Sequence, residues 1–235
     1  AEKKFYRALE SFIIKRVDAV ITVNQSIAYQ LYRLYSVTNI TILMNCTEKA
    51  RTKQSTKSVK DILNKDNTNK IILYHGGFTP GRGLKNLIFA MKKVSQGVLV
   101  LLGWGLLEPN LIKFTKELEL NSKVFFVPPV PYNELLSFIS DATVGVIPFR
   151  NVSLNNFLST PNKLFEYIAA GVPIVASNFP EIRRFIKGYG IGELFDPEKP
   201  QEIADAINRV LRDKHKYAQY KENIKLAAQD STKRA

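Results

Sequence analysis

A glycine-rich turn is the first place in the sequence where residue types and spacing could support chemistry. Residues 71–91 read IILYHGGFTPGRGLKNLIFAM, in which a strand-like stretch passes through the turn into an amphipathic helix. Gly76 and Gly77 let the backbone bend sharply and let a ligand approach main-chain amides, while Arg82 offers several donors to phosphate oxygens. The turn matches neither the G-x-G-x-x-G dinucleotide motif nor the phosphate loop that ends in GK[ST]. It favours an anion-binding loop, although an ordinary glycine turn with a solvated arginine explains the same residues.

A second stretch of interest covers residues 157–177, FLSTPNKLFEYIAAGVPIVAS. Thr160 is a favourable helix N-cap and Pro161 a favourable first helical residue. Gly171 can take the left-handed conformation that often ends a helix. The spacing therefore predicts a helix over residues 161–170 that feeds a buried strand.

The start of this helix could hold a ligand. The strand candidate before it, residues 144–148, ends at the carboxyl edge of the sheet, where the glycine-rich turn also lies. The free amides of Asn162 and Lys163, with the positive end of the helix dipole, would face an anion there. In the competing interpretation Lys163 and Glu166 form a surface pair on the side of the helix opposite its apolar stripe. The spacing alone does not choose between the two.

The elements that position these residues alternate along the chain, as is typical of parallel βαβ units. Strands are predicted at residues 19–23, 40–44, 71–75, 98–102, 124–127, 144–148 and 174–176. Helices are predicted at residues 5–16, 26–35, 84–94, 111–117, 132–140, 161–170 and 200–212. Most of the strand candidates are apolar throughout, as expected when both faces of a sheet are covered. The sequence therefore predicts an α/β fold with a doubly wound, Rossmann-like parallel sheet.

Composition restricts the classes of partner. The chain of 235 residues has 34 Lys and Arg against 21 Asp and Glu, a net charge of +13 at pH 7. This charge favours an anionic partner, such as nucleic acid, acidic lipid or a phosphorylated small molecule. The single cysteine, Cys46, excludes an internal disulfide framework, and two histidines disfavour a His or Cys metal cluster. We expect a reducing, cytosolic protein with no signal peptide and no membrane-spanning segment.

The polar residues 48–69 divide the chain, because they form a stretch longer than a typical βα loop. Only about two βα repeats precede it. This first segment either adds strands to the later sheet or is the tail of another domain. Residues 214–235 are highly charged and predict a helix that runs off the domain and frays.

The sequence contains, in this order, the segments HGGFTPGRGLKNLIFAM, VPYNELLSFISDATVGVIPF, TPNKLFEYIAAGVPIVAS and GIGELFDPEKPQEIADAINRVLRD. Together they resemble the C-terminal donor-binding domain of GT-B fold retaining glycosyltransferases of the group 1, or family 4, type. The earlier RVDAVITVNQSIAYQLYRLYSVTNITILMN is similar to the last part of that family's N-terminal domain. The resemblance implies that residues 1–47 are the tail of the N-terminal, acceptor-side Rossmann-like domain. Residues 48–69 would then be a linker, 70–213 the donor-binding domain and 214–235 a helical tail.

The resemblance also implies how a nucleotide diphosphate would bind. In the family, the glycine loop commonly carries an arginine after its glycine and a lysine before a second glycine. Here Gly77 stands in the arginine position and Arg82 in the lysine position, so the phosphate role of a side chain passes to Arg82 alone. The implied phosphate-binding residues are Gly76, Gly77, Arg82, Thr160, Asn162 and Lys163.

The family further carries two glutamates eight positions apart. Glu166 matches the second, which binds ribose hydroxyls, whereas the first falls on Leu158, as in other members with a PNKLFEY motif. No catalytic residue is therefore assigned. The main chain from Pro128 to Val130 is expected to face the base.

The implied function is transfer of a sugar, with retention, from a UDP- or GDP-type nucleotide sugar to a glycan or lipid-linked acceptor in cell-surface polysaccharide synthesis. A helix N-terminus and a cation can stabilise the departing diphosphate, so no metal or other cofactor is expected. The chain alone is expected to bind nucleotide weakly and not to turn over, because acceptor groups belong mostly to the N-terminal domain. We expect a cytoplasmic enzyme, peripheral on the inner face of the plasma membrane and in contact with its anionic surface.

Two other functions fit parts of the sequence. A GT-B type sugar-nucleotide epimerase would use the same sheet edge, but it needs further acid and base residues, and the only histidines are His75 and His215. We interpret His75, at a strand end, as a hydrogen-bonding loop residue. A noncatalytic basic binding module would explain the charge, but the basic residues are scattered rather than clustered along one groove, so nucleic acid is not the expected partner.

Overall fold

The computed structural model of the chain describes residues 2–45, 59 and 70–233. The helices are α1 (Glu2–Ile13), α2 (Gln25–Tyr35), α3 (Leu84–Ala90), α4 (Glu108–Glu117), α5 (Tyr132–Ser140), α6 (Leu154–Leu158), α7 (Asn162–Ala169), α8 (Pro180–Tyr189), α9 (Pro200–Arg212) and α10 (Lys214–Lys233). The strands are β1 (Val20–Thr22), β2 (Ile40–Ile42), β3 (Ile71–His75), β4 (Val98–Leu102), β5 (Val124–Val127), β6 (Val144–Ile147), β7 (Ile174–Ser177) and β8 (Gly192–Phe195).

Six parallel strands form the central sheet in the order β5-β4-β3-β6-β7-β8. Every residue of β3 and β4 is buried, because helices cover both faces of the sheet. The chain winds outward from β3 in one direction and then returns to β6 on the other side of β3. The predicted α/β fold with a doubly wound parallel sheet is confirmed, and its switch point lies between β3 and β6.

Two apolar layers enclose the sheet. One contains buried residues of α3, α4 and α9, and the other contains buried residues of α5, α7 and α8. Helix α9 shows why the sequence folds this way, since Ile203, Ile207, Val210 and Leu211 recur at helical spacing and are all buried. Helices therefore pack on both faces of the sheet, and loops occupy its carboxyl edge.

The first segment does not extend the central sheet. Strand β1 pairs only with β2 among the described residues, in parallel, with Val20 opposite Ile40. Helix α2 instead packs against α8, and the Ser26 amide donates to Glu181 Oε1 at 2.8 Å. The first of the two alternatives for this segment is therefore wrong. Of residues 48–69, predicted to be a linker, only Val59 is among the described residues. Its amide donates to Asp141 Oδ2 at 2.9 Å.

The C-terminal helix differs from its prediction. Helix α10 packs back on the domain, where Tyr220, Ile224 and Ala227 are buried against both apolar layers. The prediction of a helix that runs off the domain is wrong, because these three residues recur at helical spacing and form a narrow apolar face within a charged sequence.

Three elements, α6, α8 and β8, had no counterpart in the sequence-based prediction. Strand β8 contains Glu193, whose carboxylate is bonded by Tyr220 and by two cations, Arg209 and Lys216. These distant partners make a charged residue acceptable in a strand, and no local pattern reveals them.

Candidate functional site

A cleft of about 490 Å³ opens beyond the carboxyl ends of β3 and β6, at the switch point of the sheet. The turn after β3, the loop after β6 and the start of α7 supply most of its wall. The lining residues are His75, Gly76, Gly77, Arg82, Leu135, Phe149, Asn155, Asn156, Ser159, Pro161, Asn162, Lys163 and Glu166. The cleft brings together five of the six predicted phosphate-binding residues and the predicted ribose ligand, which are far apart in the sequence.

The glycine turn lies very close to its neighbours. Gly76 has φ +115°, and a Cβ there would lie 3.3 Å from Lys163 Nζ. Gly83, with φ +68°, precedes α3, and a Cβ there would lie 1.8 Å from the carbonyl oxygen of Pro148. A side chain is excluded at Gly83 by this backbone contact and is strained at Gly76 by its positive φ, so the turn presents backbone to the cleft.

Arg82 lies half-buried at the side of this turn. Its guanidinium carbon is 4.3 Å from the centroid of the Phe149 ring, a cation–π contact that orients the side chain. The Arg150 amide donates to the carbonyl of Gly81 at 2.8 Å, which ties the loop after β6 to the turn. Arg82 is thus held at the cleft wall by the opposite loop.

The start of α7 is only partly as predicted. Its N-cap is Pro161 and its first helical residue is Asn162, one position later than predicted. The Thr160 hydroxyl accepts from Asn24 Nδ2 at 3.0 Å and does not cap the helix. Thr160 is buried and is absent from the cleft lining, so the N-cap prediction was wrong because a distant residue binds the hydroxyl.

The first-turn amides of α7 nevertheless lie at the cleft. Asn162 and Lys163 line it, and the first amides of a helix have no acceptor within the helix. The next amide, that of Leu164, donates to the Pro161 carbonyl at 2.9 Å. The positive end of a helix of eight residues therefore faces the cleft.

Lys163 is buried rather than on the surface, with 8% of its area exposed. Its Nζ lies 3.8 Å from the centroid of the Tyr74 ring and 5.3 Å from that of Phe149. Within residues 2–45, 59 and 70–233, it makes no hydrogen bond or close ion pair. Burial lowers the pKa of Lys163 well below its usual value, nearby Arg82 lowers it further, and Glu166 opposes the shift. The interpretation as a surface pair is wrong, and the cleft contains a buried lysine amine that has no hydrogen-bonded anion among the described residues.

Glu166 lies one turn further along α7 and faces His75 of β3. The carboxylate Oε2 and imidazole Nε2 are 3.5 Å apart, and 12% and 6% of the two side chains are exposed. Burial raises the pKa of Glu166, opposed by Lys163. Burial lowers the pKa of His75 well below its usual value, and Lys163 acts in the same direction. The pair therefore combines a neutral imidazole with a carboxyl group that ionises less readily than a solvated one.

Some predicted residues lie elsewhere. Pro128 and Val130 follow β5, where Pro128 is exposed and Val130 packs against the core, and neither lines the cleft. Their contact with a base stays a prediction. Leu158, which replaces the family's first glutamate, is buried and also absent from the lining.

Several lining residues were not assigned an individual role from the sequence. Phe149, Asn155, Asn156 and Ser159 come from the loop after β6 and from α6, and Leu135 comes from α5. The one available signal was that this loop follows a strand that ends at the carboxyl edge.

Comparison with known proteins assigns the chain to a family. Residues 55–227 match the family model described as glycosyl transferases group 1, which is more than half of the chain. The chain belongs to this family. This group 1 glycosyltransferase thus carries its cleft within the matched residues.

Among curated relatives, an uncharacterised glycosyltransferase of Methanocaldococcus jannaschii is 32% identical over 61% of the chain and 36% of its own length. The O-antigen chain mannosyltransferase RfbU of Salmonella typhimurium is 24% identical over 88% of the chain and 58% of its own length. The chain therefore spans less than two thirds of each relative.

Solved structures show the same fold. Sucrose-phosphate synthase of Thermosynechococcus elongatus has a TM-score of 0.83 at 22% identity, over 97% of the chain and 57% of that protein. Anabaena HepE in complex with UDP has a TM-score of 0.79 at 16% identity, over 96% and 63% respectively.

No helix among the described residues is both long and apolar enough to cross a membrane. No group of three or more His, Cys, Asp or Glu side chains in this part of the chain could hold a metal ion.

Proposed function

We propose that this group 1 glycosyltransferase transfers a sugar, with retention, from a UDP- or GDP-type nucleotide sugar whose diphosphate occupies the cleft. The observation that carries the proposal is the convergence of Arg82, the unpaired Lys163 and the first-turn amides of α7 on one cleft. They combine an arginine, a lysine amine and the positive end of a helix dipole, and they surround a turn where glycines leave the backbone open. A diphosphate supplies the charge and the acceptor oxygens that such a site lacks.

Each group then has a task in the reaction. As the bond from the sugar to the diphosphate breaks, negative charge grows on the leaving phosphate. Cations and amides already fixed near that oxygen stabilise the charge without reorganising. Glu166, one turn further along α7 than Lys163, is proposed to accept hydrogen bonds from the ribose hydroxyls.

The acceptor is proposed from a relative rather than from the cleft. RfbU is by name an O-antigen chain mannosyltransferase, and it aligns with 88% of this chain. This name supports a glycan acceptor in cell-surface polysaccharide synthesis. A lipid-linked acceptor and a cytoplasmic enzyme at the inner face of the plasma membrane are further parts of the proposal, and the net charge of +13 favours contact with an anionic membrane surface.

Removal of the cleft's charged side chains should weaken nucleotide binding. Titration calorimetry with UDP- and GDP-sugars should detect binding by the wild type, and Arg82→Ala and Glu166→Ala should each weaken it about tenfold, through loss of a charge-assisted hydrogen bond. Binding is the chosen readout because the chain spans only 36% and 58% of the two relatives above.

Arg183→Ala is the matched control for this titration. Arg183 is exposed on α8, bonds Asn178 at 2.6 Å and does not line the cleft, so its loss should leave affinity unchanged. No binding by the wild type, or equal affinities of wild type, Arg82→Ala and Glu166→Ala, would remove the proposed donor site.

Membrane contact can be tested separately. With a net charge of +13, the chain should sediment with vesicles containing anionic lipid in low salt and be released in high salt, because such attraction is screened. Vesicles of neutral phosphatidylcholine are the control. Sedimentation at background level with anionic vesicles in low salt would contradict a peripheral location.

A further inference from the structure

His75 carries the one buried side-chain nitrogen or oxygen, among the described residues, that has no hydrogen-bond partner. The residue is 5% exposed, and the unpaired atom is Nε2. A buried polar atom without a partner costs stability, so an acceptor that a small side-chain movement brings within reach is expected nearby.

The surroundings of the imidazole hold it in place. His75 is the last residue of β3, and the Tyr167 ring meets it edge-on at 4.9 Å between centroids. The Tyr167 hydroxyl donates to the Leu73 carbonyl at 2.8 Å, so this ring is itself fixed to β3. This packing restricts rotation of the imidazole toward another hydrogen-bond partner.

Glu166 Oε2 is the charged atom that Nε2 faces. The distance of 3.5 Å is slightly too long for a hydrogen bond, and a small rotation of the carboxylate would close it. Both side chains line the same cleft. One carboxylate oxygen can thus accept from the imidazole while the other faces the cleft.

We propose that His75 is a positioning residue for nucleotide recognition: its Nε2–H donates to Glu166 Oε2 and turns the other carboxylate oxygen toward the ribose hydroxyls. The proposal rests on the donor site described above. The lowered pKa of His75 supports it, because a neutral imidazole protonated at Nε2 is a donor that leaves the carboxylate free to accept elsewhere.

The test compares UDP and GDP with their 2′-deoxy forms by calorimetry, since a group that orients the ribose ligand controls the preference for ribose. The wild type should prefer the ribonucleotides about tenfold, the effect of one hydrogen bond to a charged group. Glu166→Ala should abolish this preference. His75→Leu, which lacks a donor, should abolish it too.

Two amide variants separate the loss of the hydrogen-bond donor from the loss of packing around residue 75. His75→Gln can place an N–H near the position of Nε2 and should restore the preference, whereas the shorter His75→Asn should not. The comparison of His75→Gln with His75→Asn tests the donor role even if His75→Leu fails to fold. Circular dichroism and thermal melting would reveal such a failure.

The outcomes separate the two proposals. If Glu166→Ala abolishes the ribose preference while His75→Leu and His75→Asn retain it, the positioning role is wrong and the donor site stands. If the wild type shows no preference, or if Glu166→Ala retains it, the ribose role of Glu166 fails and the role of His75 fails with it.

Discussion

Replacement of Lys163 by methionine should stabilise the protein and, at the same time, weaken nucleotide diphosphate binding. The Lys163 side chain is 8% exposed and lies against Tyr74 and Phe149 without a hydrogen-bonded anion among the described residues. An apolar side chain of similar length fits such surroundings better than an unpaired ammonium. At neutral pH we expect a gain of about 1 to 4 kcal/mol in the free energy of unfolding.

The gain should depend on pH in a defined direction. The folded-state pKa of Lys163 lies well below the unfolded value of about 10.4. Between these two values the unfolded chain binds a proton that the folded chain does not, so wild-type stability rises with pH across this window. The advantage of Lys163→Met in urea unfolding should therefore be largest at neutral pH and should shrink as the pH approaches 10.

Binding should change in the opposite direction. If Lys163 meets a phosphate oxygen, its loss removes a charge-assisted hydrogen bond, and affinity for UDP or GDP should fall about 10- to 100-fold in calorimetry. A variant that gains stability and binds the diphosphate as tightly as the wild type would show that Lys163 is not a phosphate ligand.

Lys221→Met is the matched control for both measurements. Lys221 is partly buried, and its Nζ donates to the Gly171 carbonyl at 2.6 Å, beyond the opposite end of α7 from the cleft. Its loss should reduce stability by about 1 kcal/mol and leave nucleotide affinity unchanged. A loss of stability in Lys163→Met equal to that in Lys221→Met would contradict the cost assigned to the buried ammonium.

Gly83→Ala should be the most destabilising single change in the glycine turn. The residue has φ +68°, and an added Cβ would lie 1.8 Å from the Pro148 carbonyl oxygen, which belongs to backbone and cannot rotate away. Left-handed strain and the forced separation of the two loops together should cost about 3 to 5 kcal/mol in urea unfolding. Because Arg82 directly precedes this position, nucleotide affinity should fall as well.

Gly188→Ala provides a control of opposite sign. Gly188 lies within α8, is exposed, and an added Cβ there would have no heavy atom within 4 Å. Alanine in a helix is favoured over glycine, so this variant should gain about 0.5 to 1 kcal/mol. If Gly83→Ala unfolds within about 1 kcal/mol of the wild type, the two loops are not in the close contact described here.

The sequence by itself determined the fold. Apolar runs of strand length, separated by helical patterns, predicted the doubly wound parallel sheet and placed both candidate loops at its carboxyl edge. The sequence also identified the glycine turn, because few residues other than glycine adopt the backbone conformations that the turn requires. The start of α7 was predicted to within one residue, because proline at the beginning and glycine after the end of a helix are local signals.

Tertiary structure alone decided the chemistry of the side chains. Helical spacing places Lys163 opposite the apolar stripe, yet Tyr74 and Gly76, almost ninety positions earlier, cover that side and bury it. Asn24, 136 positions earlier in the chain, donates a hydrogen bond to the Thr160 hydroxyl, so Thr160 does not form the N-cap that local residues predicted. Whether a polar group is solvated, paired or orphaned depends on which distant elements pack against it, and no local pattern carries that information.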